Sequence, residues 1–288
     1  MTGFFRRRLN RSVGGNILVF AFLTIMSCIM LLPVIYTCST AFKPLSEIYV
    51  FPPHFFAHDP TTDNFKQIGL FLDDFWVPLS KYIFNTVFIC VTATVGHFLL
   101  SSMAAYPLAI LDFHGRKTIS SIIKVSLLFS VTAKLNTRYI VMSKLNIINS
   151  YAAMILPEVQ SALGLYLMMN FMSQTPKALI EAARIDGANE LRIYSRIVMP
   201  NIKPAWLTVM IFSFQTVWNT TGITQTATLV YDEKIKMVVS LLSQVVAGGT
   251  ARAGAGAALS FLLIIPPVVL FLICQSKIIE TMSTSGMK

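Results

Sequence analysis

The chain has 288 residues, of which 55% are hydrophobic and only 12% are charged. A mean hydropathy of +0.66 excludes an ordinary water-soluble domain, because such a domain cannot bury so much apolar surface. The formal net charge of +10 does not indicate nucleic-acid binding, since the sequence holds no compact basic domain for a phosphate backbone. Composition therefore predicts a protein embedded in lipid.

Apolar runs long enough to cross a bilayer recur along the whole chain. A helix needs about 20 residues to cross the hydrocarbon core at about 1.5 Å of rise per residue. Backbone polar groups in lipid must be satisfied internally, so the runs are predicted as helices, and none alternates as barrel strands do. The predicted spans cover residues 17–41, 82–111, 119–141, 151–172, 204–230 and 254–279. Lys124 makes the third span the weakest.

The segments between these spans predict the orientation. With the N-terminus inside, the inner segments hold more Lys and Arg than the outer ones, as membrane proteins usually do. The first apolar run is too long for a secretory signal. We therefore predict an all-α polytopic membrane protein with six transmembrane helices, one domain over 1–288 and both termini cytoplasmic. Its non-membrane parts are an inner N-terminal segment, an outer segment, an inner loop and an inner tail: 1–16, 42–81, 173–203 and 277–288.

The outer segment 42–81 is rich in proline and in aromatic residues. Aromatic side chains at this depth are typical of anchoring in the membrane interface, which is the first interpretation. A docking surface for an external partner is the alternative, and the sequence leaves both open.

Ionisable side chains inside the spans are candidates for a substrate pathway, because charge at membrane depth is costly and usually functional. Glu158 follows Pro157 in span four, and Ser161 lies three residues further on. A proline frees a backbone carbonyl, so a polar cavity is expected there. A structural pair with a neighbouring Lys is the alternative role for Glu158. His97 in span two is predicted to be hydrogen-bonded to a neighbour.

Two further pairs of polar residues share helical faces. Lys134 and Arg138 lie four residues apart near the outer end of span three. Like charges on one face are unfavourable unless an anion answers them, and Glu158 is a candidate for that role. Gln215 and Asn219 share a face of span five in the same way and are predicted to line a polar path.

The inner loop 173–203 contains signals for a short helix. Thr175 is predicted as its N-cap and Pro176 as its first helical residue, where a missing N–H is harmless. The helix is expected to run from Lys177 to about Asp186. Gly187 is placed to end it in a left-handed conformation.

A second short helix is predicted from about Asn189 to Met199. The first helix has an apolar side made of Leu179, Ala182, Ala183 and Ile185. Glu181 adds a carboxylate that can meet a cation on a partner. Spacing alone does not choose between a surface helix that closes the loop and a helix that docks on a partner.

The same loop also carries a spaced motif. It reads Glu181-Ala182-Ala183, three residues, Gly187, nine residues, then Ile197-Val198-Met199-Pro200. This resembles the signature loop of the permease subunits of ATP-binding-cassette (ABC) importers, in which Leu usually stands where Met199 is. Phe42-Lys43-Pro44 and Trp218-Asn219 extend the resemblance to the carbohydrate-uptake, maltose-importer-like branch and its second permease.

The resemblance implies a type I ABC importer permease fold. It implies one permease subunit of an ATP-driven sugar or oligosaccharide importer, which forms half of the translocation pathway in a bacterial plasma membrane. The implied partners are a second permease, two cytoplasmic ATPase subunits, an extracytoplasmic sugar-binding protein and the lipid bilayer. The residues implied in coupling to the ATPase are Glu181, Ala182, Ala183, Asp186, Gly187, Ile197 and Pro200.

The sequence contains no GxxxxGK[ST] phosphate loop, no HExxH motif and no nucleophile elbow. Its four cysteines are scattered through the spans, so neither a disulfide framework nor a metal site is predicted. The chain is therefore expected not to be an enzyme and to hold no cofactor. ATP and Mg would be bound by the partner subunits.

The sequence leaves two functional alternatives and one substrate hypothesis open. An ion-driven secondary transporter would use Glu158 as its proton or cation site. An ABC permease for amino acids or peptides would share the signature loop. Within sugar transport, Lys134 and Arg138 raise the hypothesis that acidic sugars such as uronate oligosaccharides are preferred.

Overall fold

The structure is a computed structural model that describes residues 13–73, 77–129, 131–219, 226–249 and 252–285. Helices make up nearly all of the regular structure in these ranges, and no strand occurs in them. The α-helices, in chain order, are α1 Val13–Ala41, α2 Leu45–Ile48, α3 Asp63–Asp73, α4 Leu79–Ile110, α5 Arg116–Ser126, α6 Val131–Lys144, α7 Tyr151–Val159, α8 Ala162–Met172, α9 Lys177–Ile185, α10 Glu190–Ile193, α11 Met199–Asn201, α12 Lys203–Thr216, α13 Thr226–Leu229, α14 Val238–Ala247 and α15 Ala253–Ser285.

Four helical segments within the described ranges are long and apolar enough to cross a membrane. They are Gly14–Ala41, Leu79–Ile110, Tyr151–Met172 and Ala253–Gln275. These segments confirm the helices predicted for the first, second, fourth and sixth spans. A fifth candidate joins Glu190–Asn201 to Ala205–Asn219 across a bend of 82°.

The third and fifth predicted spans are each interrupted. Span three is divided between α5, which ends at Ser126, and α6, which begins at Val131. Neither half is long enough to cross a bilayer alone, and Lys124 occupies the last turn of α5, where a cation is favourable. Span five begins as α12, which ends at Thr216, and its segment 220–225 lies outside the described residues. The count of six spans therefore stays a prediction.

The chain divides into two compact units. The first comprises Met1–Gly69 and Gly248–Phe261, and the second comprises Leu70–Ala247 and Leu262–Lys288. The predicted division into one transmembrane domain stays a prediction. The residues of the signature loop and of the candidate pathway all belong to the second unit.

In the first unit, two buried polar side chains hold the outer segment to the end of α1. Lys43 is 2% exposed, and its ammonium donates to the carbonyl of His54 and lies 4.9 Å from the ring centre of Tyr36. The amide of Asn64 donates to the carbonyls of Ala41, at 2.9 Å, and Lys43, at 2.7 Å. Among the described aromatic side chains of this segment, those that stay exposed are Tyr49, Phe51, Phe55 and Phe56.

In the second unit, α4 is the central helix and packs against α7, α8 and α12. One buried cluster at the end of α4 includes Tyr106 and, from α8, Met168 and Met172. A second cluster surrounds Ile89 near the beginning of α4. At that end Asn85 donates to the carbonyls of residues 234 and 236, so the loop before α14 is fixed to α4.

His97 joins α4 to the break between α7 and α8. Its ring nitrogen Nδ1 lies 3.0 Å from the carbonyl oxygen of Val159, the last residue of α7. This confirms the prediction that His97 is hydrogen-bonded to a neighbour. Gly164 lets α8 approach, since a Cβ there would lie 1.9 Å from His97 Nε2.

Gly164→Ala is therefore expected to destabilise the second unit. The added methyl group must displace a buried imidazole, and overpacking of this kind costs about 1–3 kcal/mol. Thermal unfolding of the detergent-solubilised protein measures the loss as a lower Tm. Gly69→Ala is the control, because nothing lies within 4 Å of its Cβ position. Equal Tm values for the two variants would contradict the proposed packing.

Candidate functional site

The first helix of the loop covers Lys177–Ile185, close to the predicted range, but its N-cap lies one residue later than predicted. Pro176 is the N-cap of α9, with φ −58° and ψ 125°, and Lys177 is the first helical residue. The prediction of Thr175 as N-cap is wrong, because the extended conformation of Pro176 takes the capping position itself. Thr175 is buried instead, and its hydroxyl has no hydrogen-bond partner among the described residues.

The end of α9 confirms the role predicted for Gly187. Asp186 is the C-cap, and Gly187 follows with φ +77°, a left-handed conformation that favours glycine. The Gly187 N–H donates to the carbonyl of Arg184 at 3.1 Å, and the Ala188 N–H donates to that of Ala183 at 2.9 Å. These two bonds form a Schellman motif, which fixes the direction in which the chain leaves the helix.

The second predicted helix is also present. Asn189 caps it by accepting a hydrogen bond from the backbone N–H of Arg192 at 2.9 Å. The helical run continues through a π-helical turn, Tyr194–Val198, into α11. Pro200 has no N–H to donate, so it cannot continue the α-helical hydrogen bonds of this run. In the π-helical turn just before it, the backbone hydrogen bonds join residues five apart and not four apart. Ile197 is half-buried and Pro200 is exposed.

The residues of α9 divide into two faces. Ile180 is 4% exposed and Ala183 is 8% exposed, and both pack in the buried cluster at the end of α4. The single apolar side predicted from the sequence is therefore wrong for Ala183, which packs within its own chain. The opposite face, here called the free face, consists of exposed residues: Ala178, Glu181, Ala182 and Ile185. Ile185 is 86% exposed.

A polar network ties the two loop helices to α4. Glu190 accepts a hydrogen bond from Arg184 Nε at 3.0 Å and another from the hydroxyl of Tyr106 at 2.5 Å. The hydroxyl of Tyr194 lies 2.7 Å from that of Ser102, and the Tyr106 and Tyr194 rings are 5.6 Å apart. These five residues, here called the inner network, connect α4 to both sides of Gly187.

The inner network keeps Glu190 charged. The hydrogen bond from Tyr106 lowers the pKa of Glu190 below its ordinary value of 4.5, and Arg184 lowers this pKa further, against the opposing effect of partial burial. Glu190 in turn raises the pKa of Arg184. A depressed carboxyl pKa stabilises the folded state above the ordinary value, and this contribution is lost as the pH falls through the lowered pKa. Glu190 and Arg184 are thus both charged at neutral pH.

Tyr106→Phe is expected to loosen the loop without unfolding the protein. It removes a hydrogen bond to a charged group, worth about 1.5–3 kcal/mol, whereas Tyr194→Phe removes a neutral one worth about 0.5–1.5 kcal/mol. Amide hydrogen exchange over residues 190–198 should therefore be faster in the first variant than in the second. If both variants exchange at the wild-type rate, the network does not hold the loop.

Three of the predicted pathway residues meet in one cavity. Arg138 Nη1 lies 3.3 Å from Glu158 Oε1, so the predicted pairing of these two residues is confirmed. Glu158 is 7% exposed. The pair lines a cavity of about 870 Å³ whose polar residues include Thr137, Arg138, Glu158, Gln160, Ser161 and Thr216.

Of the other predicted pathway residues, the structure describes the side chains of two. Gln215 is half-buried and Asn219 is exposed, and neither lines this cavity. Lys134 lies in α6, and its side chain is outside the described part of the chain. Two residues of interest, Thr216 and Glu190, were not predicted from the sequence. Thr216 carries no distinctive signal, whereas Glu190 follows the capping Asn189, where an acidic residue is favoured in a first turn.

Comparison with known proteins identifies the family. Residues 15–283 match the family of the binding-protein-dependent transport system inner membrane component. The chain belongs to this family. Its members are permease subunits of transport systems, and the family indicates no catalytic activity. The resemblance seen in the signature loop is thereby confirmed.

Individual relatives are similar in sequence to this chain over most of its length. It is 31% identical over 237 residues to the polygalacturonan/rhamnogalacturonan transport system permease protein YtcP of Bacillus subtilis (strain 168), covering 79% of this chain and 76% of that protein. It is 26% identical over 279 residues to the arabinooligosaccharides transport system permease protein AraQ of Halalkalibacterium halodurans, covering 93% and 94%.

A solved structure has the same fold. The crystal structure of a bacterial ABC transporter involved in the import of the acidic polysaccharide alginate contains a similar chain, with a TM-score of 0.76 and 22% identity. The match covers 95% of this chain and 99% of that one. The fold is therefore that of an ABC importer permease.

Proposed function

We propose that this chain is one of two permease subunits of an ATP-driven importer of sugars or oligosaccharides in a bacterial plasma membrane. The observation that carries the proposal is the free face of α9. Its apolar residues stay exposed while Ile180 and Ala183, on the opposite face, hold the helix to α4 and α8. A short helix anchored on one side and apolar on the other is suited to dock in a groove of a partner.

The proposed partner at the free face is a cytoplasmic ATPase subunit. This chain has no phosphate-binding loop of its own, so its energy must come from elsewhere. Two ATPase subunits would bind ATP and Mg, and ATP would drive the two subunits to close against each other. Their motion would press on α9 and reach α4 through the inner network. It would also reach the Arg138–Glu158 cavity through α8, which joins Ser161 to the loop.

We propose six transmembrane helices with both termini cytoplasmic. The third would be formed by α5 and α6 together, and the fifth by α12 with the residues that follow it. The orientation is supported by the Lys and Arg of the loop 173–203. A second permease would complete the translocation pathway. An external sugar-binding protein would deliver the substrate, and exposed aromatic residues of the outer segment, such as Phe51, are candidates for contacting it.

The relatives favour sugars as the substrate. YtcP is named for transport of polygalacturonan and rhamnogalacturonan, and AraQ for arabinooligosaccharides. These names weigh against an amino-acid or peptide permease. Family membership weighs against an ion-driven secondary transporter, and so does the loop 173–203, whose helix α9 is held to α4. The ion pair with Arg138 gives Glu158 a role other than a proton or cation site.

Purification of the complete assembly tests the proposal. The chain should be isolated from its native membrane with its bound subunits and reconstituted in vesicles with the binding protein. We expect two ATPase subunits and a second permease to co-purify, and sugar uptake to require ATP. Uptake that follows an ion gradient without ATP would overturn the proposal.

A further inference from the structure

The proposed function leaves open whether the transported sugar is acidic or neutral, and the cavity beside α6 and α7 favours an acidic one. We propose that Arg138 binds the carboxylate of an acidic sugar, and that Glu158 is the internal anion which this carboxylate replaces. The inference rests on the proposed function, since it assigns a substrate class to the same importer.

The geometry of the ion pair is the first support. Arg138 Nη1 lies 3.3 Å from Glu158 Oε1. In a strong charge-assisted hydrogen bond this distance is shorter, about 2.7–2.9 Å. Arg138 contacts Glu158 through one nitrogen, whereas a guanidinium has five N–H donors arranged to hold a carboxylate at two points. A substrate carboxylate that binds at two points can therefore make better bonds than Glu158 does.

The placement of the pair is the second support. The side chains of Arg138 and Glu158 are only 17% and 9% exposed, yet both line the cavity. Buried ion pairs are close to balanced between attraction and lost hydration, while removal of one partner is strongly unfavourable. Arg138 therefore always requires an anion, and exchange of one carboxylate for another has a small net cost.

The cavity also provides donors for Glu158 after the exchange. Gln160 and Ser161 line the same cavity within three residues of Glu158, and each carries a side-chain donor. These groups can hydrogen-bond to a carboxylate that no longer contacts Arg138. A neutral sugar has no group that can replace Glu158 at Arg138, so the ion pair stays intact and the guanidinium gives no added affinity.

The size of the cavity agrees with such a ligand. Its volume is about 870 Å³. Typical small-molecule sites have volumes of about 300–1,000 Å³. Polar side chains from α6, α7 and α12 meet there, as recognition of a hydroxyl-rich molecule requires. The exposed Phe129 at its edge offers an apolar surface for a sugar ring.

Competition uptake tests the inference in the complete reconstituted importer. A panel of uronate oligosaccharides of two and three units is compared with neutral oligosaccharides of matching length and linkage. Arg138→Gln should lower the ratio of acidic to neutral uptake about tenfold, as expected when one charge-assisted contact is lost. Arg138→Lys should retain part of that ratio. Glu158→Gln, which removes the competing anion, should raise the ratio or leave it unchanged.

Thr216→Val is the matched control, because it alters the same cavity without changing charge and takes no part in the proposed exchange. It should change acidic and neutral uptake alike. If Arg138→Gln lowers both kinds of uptake equally while ATP-dependent import persists, the inference is wrong and the proposed function stands. If the wild-type assembly imports no sugar of the panel with ATP, the proposed function fails with it.

Discussion

Gly187→Pro is expected to abolish ATP-dependent uptake while the protein still inserts in the membrane. Gly187 has φ +77°, and proline is restricted to φ near −65°, so the Schellman end of α9 cannot form. The free face of α9 would then lose its fixed direction relative to the inner network. Uptake by reconstituted vesicles measures the loss, and membrane insertion is checked by fractionation.

Gly187→Asn is the control for this variant. Asparagine tolerates the left-handed conformation better than other side-chain residues, and nothing lies within 4 Å of the Cβ position. It should therefore keep most of the transport activity. Full transport by Gly187→Pro would show that the end of α9 need not be fixed for coupling.

Glu181→Lys is expected to have a comparably large effect for a different reason. Glu181 is exposed on the free face, between the apolar residues proposed to dock on the ATPase. Reversing its charge leaves α9 folded, because the anchoring residues Ile180 and Ala183 are unchanged. The new lysine would instead repel the cation with which Glu181 is proposed to pair on the ATPase. Like charges placed in contact across an interface cost several kcal/mol. Both ATPase co-purification and uptake should be lost.

Two further variants separate the interface from general charge effects. Glu181→Gln removes the charge without reversing it and should give an intermediate loss. Lys203→Glu reverses an exposed charge at the beginning of α12, away from the free face, and should retain the ATPase subunits. A normal assembly with normal uptake in Glu181→Lys would remove Glu181 from the proposed interface.

The sequence predicted the loop well wherever its structure is determined locally. The left-handed Gly187 and the second helix, predicted to begin at about Asn189, depend on residues within a few positions, and both are found as expected. Thr175 was misplaced by a local detail, because either it or the adjacent proline can cap the helix. Glu190 was missed because its partner Tyr106 lies 84 residues away, and only packing brings the two together.

The membrane part shows the same distinction. Long uniform apolar runs such as Gly14–Ala41 were predicted from hydropathy alone. The break between Ser126 and Val131 was not, since an average over a span does not reveal a local interruption. The pairing of Arg138 with Glu158 was predicted because two like charges on one helical face, Lys134 and Arg138, require an anion nearby. The burial of Ala183 beside the exposed Ala182 depends on which face of α9 meets α4, and spacing does not decide this.

Ala182 and Ala183 provide the most direct test of whether α9 docks on the ATPase. Ala182 is exposed on the free face and Ala183 is buried in its own chain, so cysteines at the two positions form adjacent and nearly identical probes. A short thiol-specific cross-linker should capture an ATPase subunit from Ala182→Cys and none from Ala183→Cys in the intact assembly. Absence of an ATPase cross-link at Ala182, or equal capture at both positions, would contradict the claim that α9 docks on the ATPase.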